Sequence, residues 1–448
     1  SKSTLAAITT AVGVQAGHQR LSASSPENPG GVLNGLFDPN KNTRVAGYVF
    51  TEFEFNPATR AQIAGRIEIH LPSGRCLELG DRRMGATAEL HLRNWNPLWR
   101  SMRRSSVGFC ESYIAGEWES PAPEKVFSFY LRNRASFNRA GKVWMRRSKA
   151  VRLWHLLRNN SKRGSKRNIE AHYDLGNDFY RLWLDPTMSY SSGFFDNAGT
   201  DLEAAQLAKY HLVADALALE AGQDLLEIGC GWGGFARVAA ERGANVLGIT
   251  LSGEQLADAR AMGAERMRFE LMDYRDTAGQ FDRIASIEMI EAVGEAHWPS
   301  YFKTISNRLA PGGIAVIQAI TIDEDLFPAY RSRADFIQRH IFPGGMLPTA
   351  GIMRRQAEAA GLTFETVRRF GQDYAQTLRL WRERFAQVTP SLDALGFDAV
   401  FRRKWQLYFC YCEAGFTERA IDVGVYRLTK PSATAEPRAM PQSDGKDQ

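Results

Sequence analysis

Asp224-Leu-Leu-Glu-Ile-Gly-Cys-Gly-Trp-Gly-Gly234 is a short apolar run that ends in four glycines within six residues. The apolar run is strand-sized, and the glycines form a tight turn that feeds the helical pattern over 235–242. The next strand is expected at 245–250, with further strands at 267–271, 283–287 and 314–320 and helices between them. A helix at 202–219 precedes the set. Strands alternating with helices give a doubly wound α/β sheet, covered by helices on both faces. Late strands are expected at 364–370 and 421–428, and 325–340 and 374–385 read as helical insertions.

Upstream, Arg66-Ile-Glu-Ile-His-Leu-Pro-Ser-Gly-Arg-Cys-Leu-Glu-Leu-Gly80 alternates apolar and polar residues around Pro-Ser-Gly, the signature of a β-hairpin. A second alternating run, 88–95, suggests another strand. The 448 residues therefore divide, as expectations, into a disordered segment 1–45, a small α+β domain 46–130, a basic amphipathic linker 131–169, the doubly wound domain 170–430 and a loose tail 431–448.

Apolar residues make up 44% and charged residues 24%, a globular balance that excludes a wholly disordered chain. The longest apolar run, 313–322, falls short of the ~18 residues of a membrane span. Five scattered cysteines (Cys76, Cys110, Cys230, Cys410 and Cys412) make no disulfide framework or paired metal-ligand motif. No metal is expected from them, and a cytoplasmic setting is. Leu5 to Val14 is only a faint signal-peptide core, diluted by two threonines and a glycine.

Charge is unevenly placed. Residues 125–169 hold fourteen Lys and Arg and no Asp or Glu; taking those cations from the net +6 leaves −8 on the rest. Phe137, Trp144 and Trp154 interleave with the cations. The stretch reads either as a solvated linker helix or as a surface for an anionic partner, membrane phosphate or nucleic acid.

Gly229, Gly231 and Gly234 satisfy the dinucleotide fingerprint, which admits a nicotinamide or flavin enzyme. The same residues also read as Glu227-x-Gly-x-Gly-x-Gly, with Glu227 ahead of Gly229, Gly231 and Gly233. That is the S-adenosylmethionine loop of class I methyltransferases. The second strand ends in Thr250-Leu-Ser-Gly-Glu-Gln255, with no acid at its tip for a ribose diol, which favours the methyl donor over a dinucleotide.

With this turn, Thr250-Leu251-Ser252 and Gln255, the runs His172-Tyr-Asp-Leu-Gly-Asn-Asp-Phe-Tyr180 and Leu184-Asp-Pro-Thr-Met-Ser-Tyr-Ser-Ser-Gly-Phe194, and the later Phe342-Pro-Gly-Gly345, Asp373-Tyr-Ala-Gln-Thr-Leu378 and Cys412, the chain resembles the cyclopropane fatty acid synthase family over about 65–430. The resemblance implies a class I methyltransferase, Rossmann-like sheet with helical insertions, and a smaller N-terminal α+β lipid-associating domain. It implies S-adenosylmethionine as cofactor and an unsaturated acyl chain of a membrane phospholipid as substrate, giving a cyclopropane or a methyl- or methylene-branched product. The expected partner is an anionic membrane surface met through 132–167, with no nucleic acid, and the protein is expected to be peripheral at the inner membrane surface. A homodimer remains open. So do methylation of a small soluble metabolite and a catalytically dead lipid-binding homologue.

For the methyl donor the resemblance implies Tyr190, Ser191, Gly229, Gly231, Thr250, Leu251 and Gln255, with Tyr274 against the adenine and Asp273 reaching its amine. For the proton-accepting step it implies a bicarbonate held by Glu291 and Tyr374 near Cys412. Two positions depart from the family: Gln318 stands where it has a histidine, and Ser192 where it has a cysteine. A glutamine can still donate an amide N–H to an anion, but it cannot relay a proton. Ring closure is therefore the outcome the sequence puts in question.

Overall fold

The computed structural model describes residues 63–81, 87–136, 175–197, 199–263 and 265–432. The expected disordered segment 1–45, the basic stretch beyond 136, His172 to Asp174 and nearly all of the tail lie outside the described residues. The chain forms two compact units, one with residues 63–136 and Arg403–Leu407, the other with the remainder of the described residues.

In the first unit, β1 (Arg66–His70) and β2 (Cys76–Gly80) form the hairpin expected from the alternation, in antiparallel register. β3 (Thr87–Leu92) lies parallel to β1 on its other side, and β4 (Trp118–Glu119) closes the order β2-β1-β3-β4. Period-2 patterning sends Ile67, Ile69, Ala88, Leu90 and Leu92 to the buried face. Buried with them are Phe109 of α1 (Asn96–Ile114) and Phe127 of α2 (Pro123–Arg132), and Trp118 stacks on Phe109 at 4.5 Å. α2 runs two residues past the boundary expected at 130.

The second unit is a seven-stranded sheet. Its strands are β5 (Asp224–Ile228), β6 (Asn245–Thr250), β7 (Met267–Leu271), β8 (Phe281–Ile287), β9 (Leu309–Ile322), β10 (Glu365–Arg369) and β11 (Ile421–Thr429), ordered β10-β11-β9-β8-β5-β6-β7. The five strands from β5 to β9 are mutually parallel where paired, as the alternation requires. β10 and β11 depart from that reading: β11 runs antiparallel to both β9 and β10. No crossover helix joins β9 directly to its neighbour β11, so strand direction at that edge is free of the βαβ constraint. The chain reverses order beside β5, and in such sheets the ligand crevice opens at the carboxyl ends of the strands at that point.

Helix α4 (Leu202–Ala216) is capped by Asp201, and α5 (Gly234–Glu241) leaves the glycine turn directly. α6 (Gly253–Ala261) follows β6; α3 (Asn177–Arg181) precedes α4. α7 (Ile290–Val293) and α8 (Trp298–Arg308) lead into β9. The expected insertion at 325–340 is two short helices, α9 (Phe327–Arg331) and α10 (Phe336–His340), followed by α11 (Ala350–Ala359). The second insertion comprises α12 (Gly371–Gln387), α13 (Thr389–Ala394) and α14 (Ala399–Thr417). Leu226, Ile228, Ile284, Ile305 and Ile317 meet in one buried cluster. Each such side chain contributes roughly 1.5–3 kcal/mol relative to exposure.

Candidate active site

The glycine turn comes first. Gly229, Gly231 and Gly233 take φ of +80°, +55° and +87°, so every second residue is left-handed, which explains glycine alternating with Cys230 and Trp232. The turn is tied down by the Gly229 and Cys230 N–H groups, which both donate to Ile249 O, and by Trp232 Nε1, which donates to Asn177 Oδ1 at 2.7 Å. Gly234 lets α5 approach: a Cβ there would sit 2.7 Å from Tyr210 Oη.

Around the turn opens a cleft of about 960 Å³, counting the open solvent at its mouth. Tyr190, Ser191, Glu227, Gly229, Gly231, Thr250, Leu251, Gln255 and Tyr274 all line it. Ser252 caps α6 and so fixes Gln255, whose Oε1 accepts from Thr250 Oγ1 at 2.9 Å. Glu227 is buried with Oε2 unpartnered, and burial pushes its carboxyl up to about 8 against the pull of Lys209. An unpartnered carboxyl oxygen beside a glycine turn, with no Lys or Arg lining the cleft among the described residues, suits S-adenosylmethionine better than a pyrophosphate. Two expected residues fall elsewhere. Gly233 is the N-cap of α5 and faces Met262 and Phe269. Asp273 is taken by Arg275, which donates to both its oxygens at 2.8 and 2.6 Å, and it does not line the cleft.

The second cluster centres on Glu288, at the end of β8. Its Oε1 accepts from Ser192 N at 2.9 Å and from Gln318 Nε2 at 2.8 Å; its Oε2 accepts from Tyr374 Oη at 2.6 Å. Glu288 N–H in turn donates to Gln318 O at 2.8 Å. Three of the five residues expected around a catalytic anion thus converge on a carboxylate of the chain itself. Glu288 lines the cleft and has φ +49°, a left-handed conformation costing about 1–3 kcal/mol that the double link to Gln318 maintains.

Glu291, paired with Tyr374 in the sequence reading, is not bonded to it. Its Oε1 accepts from Ile320 N at 2.5 Å, while Oε2 is buried without a partner. One helical turn separates the two acids, and α7 turns Glu291 toward β9 while Glu288, still at the strand end, faces the cleft. Burial, then the charge of Glu288, push Glu291 up to about 8. Burial also raises Glu288, but hydrogen bonds from Tyr374 and Ser192, the nearby Lys209 and the Gln318 amide oppose it. The two close carboxyls sit in unlike surroundings: burial raises both, but three donors hold Glu288 and one holds Glu291. Cys412 is half-buried, and burial pushes its thiol far above the ordinary range, so it is no thiolate.

α4 supplies what the sequence reading did not single out. Lys209 is fully buried; its Nζ donates to Ser191 Oγ at 2.6 Å and lies 4.0 Å from the Tyr210 ring centroid. Burial pulls it down to about 8, opposed by Glu288, Asp185 and Glu227. Gln206 Nε2 donates to Ser191 O at 2.8 Å. Asp185, Thr187, Ser189 and Tyr210 form a hydrogen-bond chain that stiffens the same loop. Beyond Glu288 stands an aromatic wall. Tyr374 stacks on Phe416 at 4.4 Å, Tyr190 packs on Trp183 and Trp381 at 5.5 and 5.4 Å, and Tyr190 Oη donates to Tyr408 Oη at 3.0 Å.

The acids give a stability prediction. Folded Glu291 and Glu227 keep their protons to about pH 8, whereas the ordinary value is 4.5, so the unfolded chain binds fewer protons in that window. Stability is therefore full below the ordinary value and lost as pH rises through about 8. Glu291→Gln, which keeps the acceptor for Ile320 N, should have a higher Tm than the parent above that pH, the gap closing toward the acidic end of a thermal-shift series. An unchanged gap across the series contradicts a neutral Glu291.

The model of the family described as mycolic acid cyclopropane synthetase matches residues 160–426. The tuberculostearic acid methyltransferase UfaA1 of Mycobacterium tuberculosis is 40% identical over 343 residues, covering 73% of this chain and 80% of that protein. The cyclopropane-fatty-acyl-phospholipid synthase of Escherichia coli K12 is 34% identical over 348 residues, covering 75% and 87%. Among solved structures, the mycolic acid cyclopropane synthase CmaA1 complexed with SAH and CTAB aligns with a TM-score of 0.55 at 31% identity, covering 59% of this chain and 98% of that one. With the strand order, the glycine turn and these similarities together, the chain belongs to the cyclopropane fatty acid synthase family of S-adenosylmethionine-dependent methyltransferases.

Proposed function

We propose that this enzyme adds one carbon from S-adenosylmethionine to the double bond of an unsaturated acyl chain of a membrane phospholipid, and that Glu288 is the base that takes the released proton. The observation that carries this reading is the convergence of Ser192 N–H, the Gln318 amide and Tyr374 Oη on the Glu288 carboxylate beside the glycine-turn cleft.

S-adenosylmethionine supplies a methyl group on a sulfonium, an electrophile that needs no further activation. The cleft residues Tyr190, Thr250, Leu251, Gln255 and Tyr274 would hold it beside the turn. An isolated alkene is a weak nucleophile, so the protein's task is alignment and exclusion of water. Tyr190, which lines the cleft and is backed by buried Trp183 and Trp381, would supply both, and its ring face would favour the positive charge left on the acyl chain once the new C–C bond forms. Glu288, as its carboxylate, removes a proton from that cation and the C–H electron pair closes the product. Loss from the new methyl onto the far alkene carbon gives a ring; loss after a hydride shift gives a methylene branch. Both routes lose a proton from the new methyl, and whether Glu288 takes it before or after the hydride shift selects between them.

Bicarbonate fits this arrangement poorly. Its expected donors, Ser192 N–H, the Gln318 amide and Tyr374 Oη, are already engaged by Glu288. No step is routed through it.

No helix among the described residues is long and apolar enough to cross a membrane. The fourteen cations of 125–169 support access to the lipid from an anionic bilayer surface, at about 1 kcal/mol per cation close to that surface. The test is incubation with vesicles of anionic unsaturated phospholipid and S-adenosylmethionine. Acyl chains heavier by one CH2, formed faster on anionic than on neutral vesicles, are expected; unchanged chain masses refute the reading.

A further inference from the structure

Away from the cleft, the solvent face of the small sheet carries an unusual array. Strand pairing sets Cys76, His70 and His91 side by side across β2, β1 and β3, and Glu78, Glu68 and Glu89 side by side in the next row. The alternation that buries Ile67, Ile69 and Leu90 puts all six on the other face.

The His70 and His91 rings are stacked at 4.3 Å and within 4° of parallel. Both Nε2 atoms turn toward one carboxylate oxygen: Glu89 Oε1 lies 2.6 Å from His91 Nε2 and 3.4 Å from His70 Nε2. His70 Nε2 is shielded from solvent yet has no hydrogen-bond partner. Arg66, on the same face, is committed to Glu68 and to Glu78, the latter at 2.7 Å. The candidate ligand atoms of His70, Glu89 and His91 lie within 4.8 Å of one another, as do those of Glu68, His70 and Cys76.

We propose that this face binds one divalent ion of the zinc class through His70, His91 and Glu89, with Cys76 on the adjacent strand as the fourth ligand. Two imidazoles, a carboxylate and a thiolate are the donor set a tetrahedral zinc takes; His70, Glu89 and His91 are already grouped, and Cys76, grouped with His70 but not with Glu89 and His91, would move in to complete it. A small tilt of the stacked rings would converge both Nε2 atoms on one ion beside Glu89 Oε1. Because the ligands come from three strands, the ion would clamp the hairpin to β3, a stabilising role independent of methyl transfer.

The test uses the full-length protein, stripped with chelator, dialysed against zinc and assayed by elemental analysis. One zinc per chain and a raised Tm are expected. His70→Ala and His91→Ala should each weaken zinc by more than the ~10–100-fold that an outer-shell loss costs. Glu78→Gln, on the same face but outside the proposed set, should retain it and controls for folding. Cobalt(II) in place of zinc should give a thiolate charge-transfer band that Cys76→Ser abolishes. No zinc on folded parent protein, or equal zinc on the doubly substituted His70→Ala/His91→Ala chain, overturns the site; a cobalt spectrum without the band overturns the cysteine ligand.

Discussion

Glu288→Gln is expected to lower the rate of acyl methylation by about 10²–10⁴, the range that a positioned base contributes. The substitution keeps the size of the side chain and one amide oxygen for Ser192 N and Gln318 Nε2, while its NH2 can donate to Tyr374 Oη once that hydroxyl turns, so the fold and the donor cleft should survive it. Titration calorimetry should then give an S-adenosylmethionine affinity within a few-fold of the parent, while mass spectrometry of the acyl chains records the loss. That split matters, because a merely structural Glu288 would depress both. The parent's rate should also climb from acid toward neutral pH as Glu288 ionises, its carboxyl raised by burial. A variant with parental turnover would remove the base from the account.

The second large effect is at the turn. Gly229→Ala places a Cβ 3.0 Å from Met289 Cγ on a residue with φ +80°. A left-handed alanine costs about 1–2 kcal/mol, so the free enzyme relaxes to another turn and binding must restore the native one. At 1.4 kcal/mol per tenfold, with displacement of Met289 added, S-adenosylmethionine should bind about 10–100-fold more weakly. Gly253→Ala, where a Cβ meets nothing within 4 Å, is the matched control and should bind as the parent does. Equal affinities for Gly229→Ala and parent would mean the turn does not hold the donor.

The parallel half of the sheet was legible because β5, β6 and β8 are short apolar runs, each punctuated by glycine, a polar cap or both, and nothing else in the chain competes with that period. The antiparallel edge was not: an apolar strand such as β11 reads the same in either direction. At the site, alternating glycines announced the cleft since only they tolerate successive left-handed positions. Glu288 and Glu291 could not be ranked from sequence, because Ser286-Ile-Glu-Met-Ile-Glu-Ala places both within one turn, and which one faces the cleft depends on where β8 stops and α7 starts. Lys209 did leave a signal. Leu202, Ala205, Gln206, Lys209, Tyr210 and Val213 are spaced as one buried helical stripe, and two long polar residues on such a stripe call for buried partners. The Cys76–His70–His91 row was hidden for another reason: it exists only through cross-strand register, which a hairpin motif does not specify for β3.

The most direct measurement is methyl transfer to an anionic unsaturated phospholipid in carbon-dioxide-free buffer, with and without added bicarbonate, by the parent and by Glu288→Ala. Full parental activity indifferent to bicarbonate, together with an inactive Glu288→Ala that bicarbonate partly restores, is the predicted result. A parent enzyme that needs bicarbonate, or a Glu288→Ala variant that methylates at the parental rate without it, would contradict the claim that the chain carries its own proton acceptor.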